Sequence, residues 1–365
     1  MTFTLCDRLI LIVLIFALII GCGKNTEPFS PGTVTTPKVN EMPDEWLIPQ
    51  EDVYDGGTGR DGIPSIDNPD FSSVELIDFL EDEDLVVGIK VGDQVRAYPH
   101  PILDYHEIVN DQIEDLYVAI TYCPLTGTAI AWNRKIEGEV HSFGVSGLLY
   151  NNNLLPYDRS TESNWSQMLL TSVNGPYTGQ KIETYPLVEM TWARWKVMFP
   201  NSEVLNTNTG FDRNYAIYPY GPYKTNHDQL LFPVTNEDIR FPGKHRGLGI
   251  LVGNQAKFYG FRHFNEGRRL FNTEFAGRDI VVIGNMEENF LVAYRRTTEG
   301  NQLLRFSINT DDDPQVIMSD EGGSKWNVFG EAVSGPMQGA RLLPITSYIG
   351  YWFSWAAFFP QIQTL

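Results

Sequence analysis

The sequence predicts an α+β fold built from two tandem pseudo-repeats of mixed, mostly antiparallel strands, with one amphipathic helix in each repeat. Tryptophan supplies only 8 of the 365 residues, yet three Trp pairs recur at a shift of 160 or 161. These pairs are Trp165 with Trp326, Trp192 with Trp352, and Trp195 with Trp355. A Val-Gly-polar-Gln turn also recurs, at 91–94 and 252–255. Because a duplication retains the scaffold in both copies, features of one copy alone are the better candidates for chemistry.

Apolar alternation and turn residues predict the elements of the first copy in order. The predicted strands are Leu85–Val91, Val95–Tyr98, Leu116–Tyr122, Thr128–Trp132 and Val140–Val145. The predicted helix covers Thr191–Phe199, with Thr191 as its N-cap, aromatic residues spaced at i, i+3 and i+7, and Pro200 at its end.

The second copy is predicted to repeat this arrangement. Its predicted strands are 249–252, 256–259, 280–283 and 290–294, and its helix covers 347–359, ended by Pro360. This helix is too short to span a bilayer, and its counterpart in the first copy is amphipathic, so we interpret its aromatic residues as core.

The N-terminus predicts an extracytoplasmic, membrane-anchored protein. Residues 1–21 contain an apolar run at Leu9–Ile20, which is typical of a secretory signal. The sequence Ile-Ile-Gly before Cys22 resembles a bacterial lipobox, which makes Cys22 the predicted lipidation site. An uncleaved N-terminal anchor is the alternative, and both interpretations place the remaining chain outside the cytoplasm. We therefore expect a cell-envelope lipoprotein, at the outer membrane if the bacterium has one.

Composition divides the remaining chain and limits its partners. Residues 22–51 are predicted to be a flexible tether, 52–205 the first repeat, 206–245 a connecting segment that wraps a copy or covers a site, and 246–365 the second repeat. A net charge of −19 argues against nucleic-acid binding. Cys123 is the one cysteine expected in the mature domain, which excludes an internal disulfide.

Cys123 is the first candidate for chemistry. It is predicted at the end of a strand, followed by Pro-Leu-Thr-Gly, and the second copy has no counterpart. Backbone N–H groups at such a turn lower the pKa of a thiol, and the thiolate is the form that attacks or binds metal. A buried, inert cysteine is the alternative.

The pair His106-Glu107 is the second candidate, because the second copy has Arg268-Arg269 there. We expect His106 to serve as a base for Cys123 or as a second metal ligand. A surface or capping histidine is the alternative interpretation.

The third candidate is 144–167, interpreted as a long Asn-rich loop without a second-copy counterpart. Arg159 is suited to clamping a carboxylate or phosphate, unless it only pairs with Asp158 inside the loop. Asn151, Asp158, Tyr122 and Thr126 are candidate binding residues.

Several motifs together resemble a known bacterial family, the domain of unknown function 3179. They are Ala-Tyr-Pro-His at 97–100, His-Glu-Ile-Val-Asn-Asp at 106–111, Tyr-Cys-Pro-Leu-Thr-Gly-Thr-Ala at 122–129, Phe-Gly-Val-Ser-Gly-Leu-Leu-Tyr at 143–150, Pro-Tyr-Asp-Arg at 156–159, Trp-Ser-Gln at 165–167 and Trp-Ala-Ala-Phe-Phe-Pro at 355–360. The resemblance implies an envelope location. Relatives in that family often have a second cysteine where this chain has Thr126, which argues against dithiol redox chemistry.

A fainter similarity links the Cys123 region to alkylmercury lyases, which share a fold with the copper-handling lipoprotein of nitrous oxide reductase assembly. That similarity implies soft-metal or carbon–metal chemistry at Cys123.

Three hypotheses follow from the sequence. The first is binding of a soft metal such as copper, or of a thiol-reactive ligand, through Cys123 and His106. The second is an enzyme with Cys123 as nucleophile, His106 as base and Arg159 orienting a small anionic substrate. The third is a binding or assembly module in which these residues are structural.

Overall fold

The computed structural model describes residues 45–365, so the predicted signal peptide, Cys22 and most of the predicted tether lie outside it. The α+β class is confirmed, with mostly antiparallel sheets and three short α-helices in the described part of the chain. No helix between residues 45 and 365 is long and apolar enough to cross a membrane.

Residues 45–205, the first half of the described fold, contain sixteen strands and two α-helices. They are β1 Val53–Asp55, β2 Phe71–Ser73, β3 Leu85–Val91, β4 Gln94–Pro99, α1 His100–His106, β5 Ile108–Ile113, β6 Leu116–Cys123, β7 Thr128–Asn133, β8 Lys135–Ile136, β9 Glu139–Val140, β10 Phe143–Tyr150, β11 Asn153–Asp158, β12 Asn164–Ser166, β13 Thr171–Asn174, β14 Thr184–Tyr185, β15 Val188–Thr191, α2 Trp192–Met198 and β16 Glu203–Leu205.

The second half contains twelve strands and one α-helix. They are β17 Arg246–Val252, β18 Gln255–Gly260, β19 Arg269–Phe275, β20 Arg278–Asn285, β21 Phe290–Thr298, β22 Phe306–Ile308, β23 Val316–Asp320, β24 Lys325–Asn327, β25 Ala332–Ser334, β26 Leu342–Pro344, β27 Ser347–Tyr351, α3 Trp352–Phe358 and β28 Gln363–Thr364.

The strand orders of the two halves have the same form. The first-half sheet with the order β15-β3-β4-β16-β2 corresponds to the second-half sheet β27-β17-β18-β28, and β14-β7-β6-β5 corresponds to β26-β21-β20-β19. The first-half sheet β1-β10-β11-β12-β13 corresponds to β22-β23-β24-β25. The duplication itself stays a prediction from the sequence matches.

Each half packs one tryptophan against a glycine of its sheet. A Cβ at Gly88 would lie 1.9 Å from the ring of Trp195, and a Cβ at Gly249 would lie 2.2 Å from the ring of Trp355. Both tryptophans are fully buried. The glycines therefore allow a helix to lie flat on the strands behind it, where any larger side chain would overpack the core.

The start of the second predicted helix is wrong. Residues 347–351 form β27, which pairs antiparallel with β17, and α3 begins only at Trp352. The aromatic residues of this segment fit both periodicities, so local pattern favoured a helix. Pairing with a neighbouring strand decides the matter, because it satisfies the backbone of an otherwise buried segment.

The predicted Asn-rich loop at 144–167 is also wrong, because most of it forms β10, β11 and β12. Within it, Asp158 Oδ2 accepts the indole N–H of Trp165 at 3.2 Å. In the second half, Asp320 Oδ2 accepts the indole N–H of Trp326 at 2.9 Å. Asp158 therefore has a counterpart in the second half, and its carboxylate holds the scaffold in place.

The folded unit begins before the predicted end of the tether at residue 51. Ile48 is only 6% exposed, and the backbone N–H of Leu47 donates to Val173 O at 2.9 Å. The predicted connecting segment, 206–245, contains no helix or strand in the structure and contacts both halves. In the second half, Asn236 Nδ2 donates to Ala356 O at 3.0 Å.

A buried ion pair joins the two halves. Glu189 of β15 pairs with Arg246 of β17 and with His100, whose Nε2 lies 3.2 Å from Glu189 Oε2. Burial opposes ionisation of Glu189, but the charges of Arg246 and His100 outweigh it and lower the pKa to about 2. Separating the two halves would leave the Glu189 charge without its Arg246 partner, so this ion pair holds β15 and β17 together.

We expect Asp158→Ala and Asp320→Ala each to lower the free energy of unfolding by about 1–3 kcal/mol, because each leaves a buried indole N–H without an acceptor. The exposed Asp93→Ala is the control and should stay within about 0.5 kcal/mol of wild type. Urea unfolding measures all three. Unchanged stability in the two buried variants would show that these aspartates do not support the scaffold.

Candidate functional site

Cys123 lies at the end of β6, where the chain turns toward β7 beneath both the second half and the connecting segment. The turn is held from outside by two hydrogen bonds. The backbone N–H of Tyr351 donates to Thr126 O at 2.8 Å, and the hydroxyl of Tyr223 donates to Leu125 O at 3.0 Å. Cys123 is only 1% exposed, which agrees with the alternative of a buried cysteine.

The surroundings of the thiol keep it protonated at neutral pH. Burial and the charge of Glu107 raise the pKa of Cys123 to about 11, against hydrogen bonds from Thr126 and the backbone of Leu154 that lower it. The thiol donates to Asn152 O across 3.4 Å. With this pKa, only about one molecule in ten thousand carries a thiolate at pH 7. Cys123 is therefore not an activated nucleophile in this structure.

Glu107, next to His106 in sequence, is the residue whose charge raises the pKa of Cys123. It follows α1 as the C-cap, with a φ of 56°. This left-handed conformation turns the backbone sharply after the helix, at a position where glycine is usually preferred. This turn directs the Glu107 carboxyl inward, where it is 6% exposed and accepts a hydrogen bond from the Tyr220 hydroxyl at 3.3 Å.

The pKa of Glu107 lies in the range useful for proton transfer. Burial raises it to about 7; the Tyr220 hydrogen bond opposes this shift, and the charge of Asp104 adds to it. A carboxyl that titrates near neutral pH is suited to exchanging protons with a ligand or with a neighbouring group.

A pocket of about 320 Å³ opens beside Glu107. Its lining residues are Gly56, Thr58, Ile63, Glu107, Leu125, Val145, Gly147, Leu148, Leu149, Leu154, Tyr220, Leu231 and Phe232. Glu107, Leu125 and Leu154 are also neighbours of Cys123, so the thiol adjoins the pocket. The size and the mainly apolar lining match those of small-molecule sites.

The predicted pairing of His106 with Cys123 is not found. His106 is fully buried, and its Nδ1 and Nε2 each lie 2.7 Å from another partner, Pro64 O and the Tyr215 hydroxyl. Each ring nitrogen has one in-plane position for a partner, so neither is directed at the thiol. Burial lowers the pKa of His106; the hydrogen bond to Pro64 opposes this, and the charge of Arg213 adds to it.

Arg159 is likewise engaged elsewhere. Its Nη1 lies 2.8 Å from Asp67 Oδ2, and its Nη2 lies 3.1 Å from Asp61 Oδ1 and 2.8 Å from Ser65 Oγ. Two carboxylates already neutralise the guanidinium. The geometry therefore does not provide the anion clamp expected from the sequence, and Arg159 pairs with Asp61 and Asp67 where the alternative interpretation had Asp158.

The other candidate binding residues are buried and bonded within the protein. Tyr122 lies with its ring centroid 4.6 Å from that of His100. The Thr126 hydroxyl accepts from Asn153 Nδ2 at 3.0 Å, and Asn151 Oδ1 accepts the backbone N–H of Thr235 at 2.7 Å. Thr126 acts on Cys123 through hydrogen bonds, and Asn151 holds the connecting segment.

A metal centre built on Cys123 and His106 lacks support from this geometry. Among residues 45–365, no group of three or more His, Cys, Asp or Glu side chains is placed to hold a metal ion. His106, the expected second ligand, has both ring nitrogens engaged by Pro64 O and the Tyr215 hydroxyl.

Asp104, a second buried carboxyl near Glu107, lies in α1 and binds the connecting segment. Asp104 Oδ2 lies 2.9 Å from Lys224 Nζ, which also lies 3.9 Å from the centre of the Tyr218 ring. Asp104 is only 4% exposed, and burial raises its pKa, although Lys224 and His100 act in the opposite direction. The connecting segment therefore covers α1 through Tyr218, Tyr220 and Lys224.

Tyr220 and Asp104 are functional candidates that sequence reasoning did not select, and Glu107 was selected only as the neighbour of His106, without a role of its own. Glu107 was recognisable as half of the His-Glu pair absent from the second copy, and as a non-glycine residue after a helix. Tyr220 lies 113 residues from Glu107 in sequence, and no local pattern predicts that contact.

Comparisons with known proteins identify the family. None of the curated proteins matches this chain, and none of the solved structures matches it. A family model described as a protein of unknown function, DUF3179, matches residues 60–362. That match covers the helices, nearly all the strands, Cys123 and the residues that line the Glu107 pocket except Gly56 and Thr58, and the chain belongs to the DUF3179 family.

Proposed function

We propose that this chain is an extracytoplasmic lipoprotein, anchored to the membrane through Cys22, whose folded part binds a small, mainly apolar molecule in the pocket beside Glu107. The lipobox-like sequence before Cys22 supports the anchor and the envelope location. The observation that carries the binding proposal is a pocket of about 320 Å³ with apolar walls and one buried carboxyl.

The contacts around the pocket favour binding over catalysis. The thiol of Cys123 is protonated because its pKa is raised to about 11, so it lacks the activation that cysteine nucleophiles need. The walls are mainly leucine, isoleucine and valine side chains. An apolar ligand that covers them removes apolar surface from water, which favours binding. Glu107 supplies the polar contact that orients such a ligand.

An enzyme that uses Cys123 is the second candidate, and one observation favours it. The Glu107 carboxyl has a pKa of about 7 and its charge acts on the thiol, so Glu107 replaces His106 as the candidate base. For Cys123 to attack a substrate as a thiolate, the bound substrate would have to lower the pKa of the thiol first. Soft-metal binding has no comparable support, and we propose no cofactor.

We expect the neutral fluorescent dye N-phenyl-1-naphthylamine to bind the wild-type protein with one equivalent at the pocket. Leu148→Trp should weaken this binding at least about tenfold, because Leu148 lines the pocket and the indole fills it. Fluorescence titration measures both.

The matched control for that titration is Leu76→Trp. Leu76 is 69% exposed and does not line the pocket, so the same substitution there should leave the affinity unchanged. Equal affinity in wild type and Leu148→Trp would contradict the proposed site, and so would a wild-type protein that does not bind the dye.

We expect Glu107→Gln to speed alkylation of Cys123 by iodoacetamide at pH 9. The charge of Glu107 helps to raise the thiol pKa, and each unit by which that pKa falls increases the thiolate fraction about tenfold. Mass spectrometry of the peptide that contains Cys123 gives the rate. Glu114→Gln, at an exposed turn, is the control; equal rates in the two variants would disprove the coupling of Glu107 to the thiol.

A further inference from the structure

The pocket contains one kind of charge, and that charge suggests the class of ligand. Glu107 is its one acidic residue, and Lys, Arg and His are absent from the described residues that line it. We propose that the pocket takes an apolar molecule that carries a primary ammonium group, held between the Glu107 carboxylate and the Tyr220 ring. This inference rests on the proposed function and names the substrate class of the same site.

The neighbouring contact shows that the protein already binds an ammonium in this manner. Lys224 Nζ lies 2.9 Å from Asp104 Oδ2 and 3.9 Å from the centre of the Tyr218 ring. A carboxylate and a tyrosine face therefore hold a cation at this site. Glu107 and Tyr220 provide the same two groups, and within residues 45–365 no basic side chain forms an ion pair with Glu107.

The groups that face Glu107 favour a cation over an anion. Asp104 of α1 adds a negative charge, Tyr220 of the connecting segment donates its hydroxyl, and Cys123 of β6 carries a neutral thiol. Asp104 has its basic partner in Lys224, but Glu107 has none among the described residues, so a bound carboxylate would meet an unpaired buried carboxylate at a large cost in free energy. An ammonium would neutralise Glu107 instead.

The walls define the remainder of the ligand. Ile63, Val145, Leu148 and Leu154 form an apolar surface, and Phe232 of the connecting segment adds an aromatic face. An alkyl or aryl chain of modest length buries apolar area against these side chains. The ligand class is therefore an alkyl or aralkyl amine.

Calorimetric titration of the full chain with n-hexylamine, 1-hexanol and hexanoate at pH 8 tests this inference. The three probes share one chain and differ in head group. We expect hexylamine to bind about tenfold more tightly than 1-hexanol, and hexanoate most weakly. Hexanol binding as tightly as hexylamine would overturn the amine class and leave the proposed function standing. Failure of all three to bind would overturn both.

The pH dependence in the wild-type protein gives a second test that needs no variant. Hexylamine stays protonated from pH 6 to pH 8, whereas Glu107, with a pKa of about 7, loses most of its charge at pH 6. The affinity for hexylamine should therefore fall about fivefold from pH 8 to pH 6, while that for 1-hexanol stays constant. An affinity for hexylamine that is constant or rises toward pH 6 would overturn the inference.

Glu107→Gln keeps the size of the side chain and removes its charge. We expect it to weaken hexylamine binding at pH 8 about tenfold and to leave 1-hexanol binding unchanged. Glu114→Gln is the control and should behave as wild type with both probes. Unchanged hexylamine affinity in Glu107→Gln would show that the ammonium does not contact Glu107.

Discussion

The contact between the connecting segment and α1 is the constraint on which the pocket depends. Tyr220 donates to Glu107, Lys224 pairs with Asp104, and the Tyr105 hydroxyl donates to Ile217 O at 2.7 Å. These contacts help to bury the Glu107 and Asp104 carboxyls, and burial raises the pKa of each. Burial beneath the connecting segment and beneath Tyr351 of the second half also raises the thiol pKa of Cys123.

The two halves contribute unequally to this site, although their elements follow the same order. Both keep a tryptophan stacked on a sheet glycine and an aspartate that accepts an indole N–H. Only the first half has the thiol and the Glu107 carboxyl, while the second half covers them through Tyr351. The second half therefore serves as packing support, and Glu189 with Arg246 keeps it in register.

Local pattern predicted the parts of the fold whose causes are local. The hairpin around 91–94 follows from alternation and a Gly-Asp turn, and α2 follows from its Thr191 cap and from Pro200. The strand β27 was mistaken for helix because its assignment depends on pairing with β17. Cys123 was recognised as a residue of one copy only, but its burial depends on contacts from distant segments. The choice of His106 over Glu107 failed because the left-handed turn after α1 sends these two side chains in different directions.

The titration of the Glu107 carboxyl reports whether water is excluded from the pocket wall beside Cys123. NMR of protein labelled with ¹³C at glutamate side-chain carboxyls follows each group with pH, and Glu107→Gln assigns the signal by its loss. The account predicts a carboxyl that titrates near pH 7, because the connecting segment excludes water from it. A Glu107 signal that titrates near its ordinary value of 4.5 would show that water reaches the carboxyl, which would contradict a buried carboxyl at the pocket.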